Sequence, residues 1–411
     1  MIGLWRQLTA ALLTVTLLAG TLGAPAVVAA QSAGALATDA PALERLEHAA
    51  ASYRDIASRG GWPRFDEGPT IRPGDGDRRI PALRQLLTLT GDLAVDASAA
   101  SDALTPEVAA ALRRFQSRHG LAPDAVIGRN TQAALAVSAA DRAGTLALNI
   151  ERLRDLSRRL PRRALIVNVP AFTLTHLSDG RPEWQTRVIV GRPSWQTPLF
   201  ESAIGRVELN PYWNVPPSIA RRELVPKIAA DPGYLAKHDM RILQGPAGHA
   251  VEVAPDSVDW RRFSASGFRL RQEPGPLNPL GQVKFFLPNP YGVYLHDTPE
   301  KALFQRETRA LSHGCVRVEN AMELAARLLQ DEPGWSAERL ASEAATGRNL
   351  QIPLSKPVPV AFIYVTGWVD PEGLVQFRSD LYRRDPAVIL AARPESCAPP
   401  PAALAQRGSA P

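Results

Sequence analysis

The chain has 411 residues, 45% of them hydrophobic and 21% charged, with 37 prolines and two cysteines. That length allows two or three domains at roughly 100–200 residues each, and the composition is that of a globular protein with a real core, its prolines pointing to long ordered loops rather than a compact helical bundle. Positive and negative charges are interspersed and sum to only +6, without the basic block that nucleic acid as a partner would call for.

Residues 1–30 have the order of a secretory signal peptide: Arg6, an apolar run over 8–22, then Val28-Ala29-Ala30 before Gln31. The apolar run falls short of the roughly 20 residues a membrane span needs. No other stretch is long and apolar enough for one, and no cysteine near the cleavage site could carry a lipid. The mature protein is therefore expected outside the cytoplasm without a stable membrane anchor. Cleavage would remove Arg6 and leave a charge of +5, a weak match to an anionic wall polymer.

Residues 31–40, small and polar, read as a disordered leader, and residues 31–78 as a helical and linker segment. Within it Leu43, Leu46, Ala50, Tyr53 and Ala57 recur at helical spacing up to Gly60-Gly61. Residues 79–140 read as a small helical domain. Its helices are 81–90, a second beginning with Thr105 as N-cap and Pro106 in the first turn, and a third capped by Asn130 and ending at Leu135. A connecting helix follows within 141–162, with Arg158 and Arg159 placed to complement its dipole.

After Pro161 the period changes to two. Strands are predicted at 164–169, 172–177, 185–190, 206–210, 283–287, 292–296, 358–365 and 374–378, with a helix at 321–329. This gives an α+β chain whose main domain, 163–350 completed by strands in 351–385, is mostly β. Its pattern is interrupted over residues 210–281, about 70 residues and too many for a structureless connection. With a helix at 219–228, the insertion reads as a capping subdomain, about 218–272, over a site. Residues 386–411 read as a disordered tail.

The chemistry centres on Cys315 in SHGCVR and on His296, 19 positions earlier at a strand end. A thiolate attacks carbonyls, and a nearby imidazole can take its proton. Gly314 permits close backbone approach, and N–H groups around Gly314 and Cys315 are candidates for an oxyanion site. Ser312 and His313 flank the loop, while Arg317 suits either a substrate carboxylate or a loop brace. His296, His313 and Cys315 are zinc-ligand types, but no fourth ligand or metal-type cysteine spacing accompanies them, so neither metal nor other cofactor is expected. A Cys315–Cys397 disulfide is disfavoured because Cys397 lies in the Pro/Ala tail.

His296 and SHGCVR, with eighteen residues between His296 and Cys315, strongly resemble the signature of the L,D-transpeptidases, the YkuD-type catalytic domain. Supporting stretches are Ile189-Val190-Gly191, Thr197-Pro198, Asn210-Pro211-Tyr212-Trp213-Asn214-Val215-Pro216, Asn278-Pro279-Leu280-Gly281, Lys284-Phe285 and His296-Asp297-Thr298-Pro299. Phe115-Gln116, His119-Gly120-Leu121, Asp124, Gly128, Thr131 and Leu135 resemble a peptidoglycan-binding-like domain, except that Ala125 stands where a glycine is usual. The resemblance implies the large periplasmic subclass. In it Cys315 is the nucleophile, His296 the proton donor and acceptor oriented by a backbone carbonyl, and Ser312, His313, Gly314 and Arg317 support the loop. Tyr212, Trp213 and Asn214 are candidate substrate contacts. The implied reaction cross-links third residues of peptidoglycan stem peptides, tetrapeptide donor to stem-peptide amine, through a cysteine thioester. L,D-carboxypeptidase or D-amino-acid exchange at the same site is the near alternative, and a non-catalytic peptidoglycan-binding protein the distant one.

Overall fold

The computed structural model describes residues 34–95, 101–231, 233–246, 249–260, 263 and 267–386. The expected signal peptide, Cys397 and all but the first residue of the tail lie outside the described residues. Among those described, no helix is long and apolar enough to cross a membrane.

Helices α1 (Ala40–Ser58), α2 (Ile80–Leu89), α3 (Pro106–Arg118), α4 (Arg129–Leu135) and α5 (Ala139–Arg159) come first. Asp39 caps α1 by accepting the Ala42 N–H, and Ser138 caps α5 through the Asp141 N–H. Two expected caps differ. Thr105 stands at the N-cap of α3 without a side-chain bond. Asn130 lies inside α4, whose N-cap is Gly128, and its amide donates instead to Glu307 Oε1 across the domain boundary (3.0 Å). The leader is also ordered from Gly34: Ala35, Leu36 and Ala37 are buried, the Thr38 N–H donates to Gly180 O (2.9 Å), and Gly34 O accepts from the Trp368 indole (3.2 Å). Small apolar residues there fill a seam that composition alone does not reveal.

The main domain begins with β1 (Ala164–Asn168), β2 (Thr173–Ser178), β3 (Arg181–Gly191) and β4 (Phe200–Leu209). The insertion contributes β5 (Trp213–Asn214), β6 (Met240–Gln244), β7 (Val251–Val253) and β8 (Phe268–Gln272) as a separate four-stranded sheet. Then come β9 (Val283–Phe286), β10 (Leu295–His296), β11 (Ala310–Ser312), β12 (Val316–Val318) and β13 (Leu350–Ile363), and last the hairpin β14 (Gly367–Val369) and β15 (Val375–Phe377). The order β3-β12-β10-β9-β4-β13-β1-β2 closes through β2–β3 pairing into a barrel, with β11 flanking β3. β4 and β13 begin well before their predicted starts; Pro353, Pro357 and Pro359 hide β13 from a propensity reading, and its register shifts between Pro353 and Val358. β10 is shorter than predicted because Asn289 folds 289–293 into a turn, its Oδ1 accepting the N–H groups of Tyr291 (3.0 Å) and Val293 (3.1 Å).

Burial on both faces makes β1 continuously apolar. Leu165 and Val167 enter the barrel core with Val360 and Phe362 of β13. Ile166 and Ala361 face outward, into a second core with Leu46, Ala50, Leu146 and Ile150 of α1 and α5. The insertion has its own core of Leu224, Ile228, Met240, Ile242 and Leu270. The small helical domain is fastened to the hairpin: His119 stacks on Phe115 and Phe377, with centroids 3.8 and 5.4 Å away, and Arg378 Nη1 donates to Arg118 O (3.0 Å).

Ala125 makes its turn at φ +60°, fully buried, with its N–H donating to Gln116 Oε1 (2.8 Å). A left-handed alanine costs about 1–2 kcal/mol, while glycine would lose about 0.8 kcal/mol of methyl burial and roughly 0.5–1 kcal/mol of backbone entropy. Ala125→Gly should therefore leave stability within about 1 kcal/mol of wild type. Ala125→Val, β-branched at positive φ in a filled core, should lower it by more than about 2 kcal/mol. Urea midpoints of the two variants check both values.

Candidate active site

β10 runs parallel to β12, with Leu295 level with Val316 and His296 level with Arg317. The Val316 N–H donates to Tyr294 O (3.1 Å). Side chains alternate along strands, so Leu295 and Val316 enter the barrel core while Tyr294, His296, Cys315 and Arg317 share the opposite face. Antiparallel pairing adds Lys284 of β9 beside His296, then Glu208 of β4 beside Lys284.

The loop before β12 is locked by its own polar groups. Gly314 sits at φ +115°, closed to residues with a Cβ. Its N–H donates to Ser312 Oγ (3.1 Å), and the Ser312 hydroxyl donates to Cys315 O (2.5 Å). Gly314 O accepts from the Thr197 hydroxyl (2.8 Å), which in turn accepts the Gly191 N–H (2.9 Å). The Gly314 N–H is thus occupied, which corrects its expected place in an oxyanion site.

His296 is buried, with Nδ1 2.6 Å from the backbone carbonyl of Asp297. That contact keeps the proton on Nδ1 and directs the Nε2 lone pair away from the carbonyl. The Asp297 carboxylate points elsewhere, accepting the Gln282 N–H (2.9 Å) and pairing with Lys301. Burial pushes the His296 pKa down to about 3, helped by the Arg317 and Lys284 cations. Burial also raises the Cys315 pKa, opposed by the Tyr294 N–H, Lys284, the Tyr294 hydroxyl and Arg317. The resting pair is a neutral imidazole and a thiol.

Tyr294, not singled out from the sequence, places its hydroxyl beside the Cys315 side chain and the Trp213 indole. Its ring lies 5.5 Å from that of His296. Strand alternation back from His296 was the available signal. Trp213 thereby joins the site. Tyr212 instead stacks under Arg271 (4.6 Å), and Asn214 is exposed in the insertion's sheet, so neither meets the cysteine. Arg317 is paired with Glu300, which makes it a brace rather than a free carboxylate receptor. His313 reaches the insertion: its Nε2 is 2.6 Å from Glu223 Oε1, its ring stands edge-on to Trp195 at 4.6 Å, and Arg192 and Arg222 lie over that indole. Glu223 belongs to a π-helical turn, Ala220–Leu224, which no sequence pattern announced.

The depressed His296 pKa has a consequence for stability. Unfolded, the imidazole takes a proton near pH 6.5; folded, it stays neutral until about pH 3. Its contribution to stability is complete above about pH 6.5 and is lost as pH falls toward 3. His119 and His176, also lowered by burial, act in the same sense. At pH 5, His296→Gln should cut the protons taken up on unfolding by about one, measured from the slope of unfolding free energy against pH. An unchanged slope would mean that native His296 is already charged.

The family model for the L,D-transpeptidase catalytic domain matches residues 162–358, and the one described as "Putative peptidoglycan binding domain" matches residues 79–135. A Haemophilus influenzae protein named "Putative L,D-transpeptidase" is 38% identical over 247 residues, 60% of this chain and 49% of that protein; the match thus spans about half the relative's length. Among solved structures, an L,D-transpeptidase from Stackebrandtia nassauensis is 14% identical over 73% of this chain and 96% of its own, with a TM-score of 0.27. One from Xylanimonas cellulosilytica is 16% identical over 72% and 99%, with a TM-score of 0.19. Those scores are too low to transfer a residue. The matched segments coincide with the barrel and with the α2–α4 unit, so the chain carries a YkuD-type L,D-transpeptidase catalytic domain behind a peptidoglycan-binding-like domain.

Proposed function

We propose that this protein is an exported, periplasmic murein L,D-transpeptidase acting in cell-wall biogenesis and cell shape, joining third residues of stem peptides through a Cys315 thioester. The observation that carries this reading is the common face shared by Cys315, Tyr294 and His296. Nε2 of His296 takes the thiol proton as sulfur attacks the carbonyl of the donor's third residue. The oxyanion is met by the Cys315 N–H and the Tyr294 hydroxyl, donors that in such a site are worth about 2.7–4 kcal/mol each. Collapse of the tetrahedral intermediate breaks the peptide bond, and the His296 proton passes to the departing D-alanine amine. An acceptor amine then attacks the thioester, gives its proton to His296 and leaves the thiol to recover it. Water or a free D-amino acid in place of that amine gives the carboxypeptidase and exchange reactions. A solely wall-binding role is disfavoured by the intact arrangement around the thiol.

Export rests on the pattern of residues 1–30. The insertion serves as a lid: Glu223 grips His313 one residue from Gly314, so closure and loop geometry are coupled. A closed cleft aligns substrates and excludes water, favouring aminolysis over hydrolysis.

Cys315→Ala should abolish acyl-enzyme formation with folding intact, since the loop is held by Ser312, Gly314 and Thr197. An adduct persisting in its intact mass would unseat Cys315 as the nucleophile. His296→Ala should slow acylation by about 10²–10⁴-fold; an unchanged rate would move the base elsewhere.

Carbapenem-type β-lactams, whose strained carbonyl mimics the donor, should also acylate Cys315. Replacing residues 220–268 by a short glycine-containing bridge, with the β5–β8 stem kept, should lower cross-linking more than drug acylation. Parental cross-linking by the folded, shortened protein would refute the lid.

A further inference from the structure

One cation on the active-site face has no counter-charge. Lys284 is only half-buried by its neighbours yet points along that face, opposite His296. Its ammonium lies 4.4 Å from the centre of the Tyr294 ring. The nearest strand neighbour of opposite sign, Glu208, is buried and turned toward Asn349, whose amide donates to Glu208 Oε1 (3.0 Å). Among the described residues no carboxylate stands within ion-pair distance of the Lys284 ammonium, whereas Arg317 is matched with Glu300, Lys301 with Asp297 and Arg187 with Glu319, and Arg206, the other nearby cation, lies over the Phe286 ring. A partly desolvated ammonium is retained at a cost unless an anion completes it, and a ring face satisfies it only in part. Burial accordingly lowers the Lys284 pKa, with the Glu208 and Cys315 side chains pulling the other way.

Two anions could complete it, the thiolate of Cys315 or a group brought by the substrate. The arrangement favours the second. Lys284 contacts the face of the Tyr294 ring, while the hydroxyl at the far end of that ring meets Cys315. Ammonium and sulfur thus engage different parts of Tyr294, the ring face and the hydroxyl, and among the described residues no hydrogen bond joins the two, which leaves the ammonium room for an incoming anion.

We propose that Lys284 receives a carboxylate of the donor peptide and so fixes which bond is presented to Cys315. The inference rests on the transpeptidase reading. A tetrapeptide donor offers such a group in two places, the free terminus of the departing D-alanine and the end of the third residue's diamino-acid side chain where that side chain ends in a carboxylate. Either way, a point charge on a flexible stem serves better than a rigid fork, which suits lysine at this position.

The test compares wild type, Lys284→Met and Lys284→Arg on three soluble muropeptide donors: the free acid, one with its terminal carboxylate amidated, and one with its side-chain carboxylate amidated. Release of the leaving amine is followed by mass spectrometry. Lys284→Met should raise KM on the free acid at least about tenfold with kcat little changed, and Lys284→Arg should keep KM within about threefold of wild type. One amidated donor should be handled alike by wild type and Lys284→Met, and that donor identifies the carboxylate. The pH profile of iodoacetamide alkylation at Cys315 should move to higher pH in Lys284→Met, since the ammonium also favours the thiolate, so the dependence of KM on the donor is what reports carboxylate binding. A fall in kcat at unchanged KM on all three donors would make Lys284 the counter-charge of the thiolate alone and overturn the proposal. So would equal kinetics of Lys284→Met and wild type on the free acid. A wild-type protein that turns over none of the three donors removes the transpeptidase reading, and this inference with it.

Discussion

The site hangs on the parallel pairing of a two-residue strand. Leu295–His296 against Val316–Val318 is the contact that sets His296, Tyr294 and Cys315 side by side. A pair this short contributes only a few backbone bonds, at about 1 kcal/mol net each, and would not hold alone. It holds because both members are inner strands of a closed barrel. β10 is also paired with β9, and β12 with β3, while Leu295 and Val316 are fully buried beneath the site. The core side of the strand fixes the register, and the register fixes the chemistry, since a slip of one residue would turn every functional side chain into the core.

That rigidity explains the electrostatics. Burial keeps the His296 imidazole neutral, and the Arg317 and Lys284 cations disfavour its charged form further while favouring a thiolate at Cys315. The two influences oppose each other across the pair, so the proton stays on sulfur until an approaching carbonyl makes its departure worthwhile. A thiol held in reserve is less exposed to oxidation than a standing thiolate.

Legibility from the sequence varied with the physics behind each feature. Cys315 and His296 were visible because the reaction dictates residue types at close quarters. The orienting backbone carbonyl was implied by the family resemblance, and the structure supplies it at Asp297. β1 and β2 were readable because their burial gives long branched runs. β11, β12 and the hairpin strand β14 were not, since three residues are too few to show a period. Tyr294 and Lys284 acquire meaning only through the register of three strands, and Glu223 only through a tertiary contact 90 residues away in sequence. Tyr212 and Asn214, read together with Trp213 from one family-like stretch, fall on the other side of an extended segment, where Tyr212 lies under Arg271 and Asn214 is exposed. Ala125 shows that a missing glycine need not alter a turn when a neighbouring side chain, here Gln116, secures the backbone.

The place of β13 in the barrel has a consequence for how the chain reaches its native state. It lies between β4 and β1, so the gap between strands at 164–168 and 200–209 stays open until residues 350–363 are available. The second core is no more local: Leu36 and Phe377 belong to the same cluster. Contacts of such long sequence separation make for slow folding, and neither core can close on a ribosome-bound chain that still lacks its last strands. The topology keeps both of these cores open until the last strands are made, while the α2–α4 unit, whose core is drawn from residues 65–135 alone, is free to form earlier.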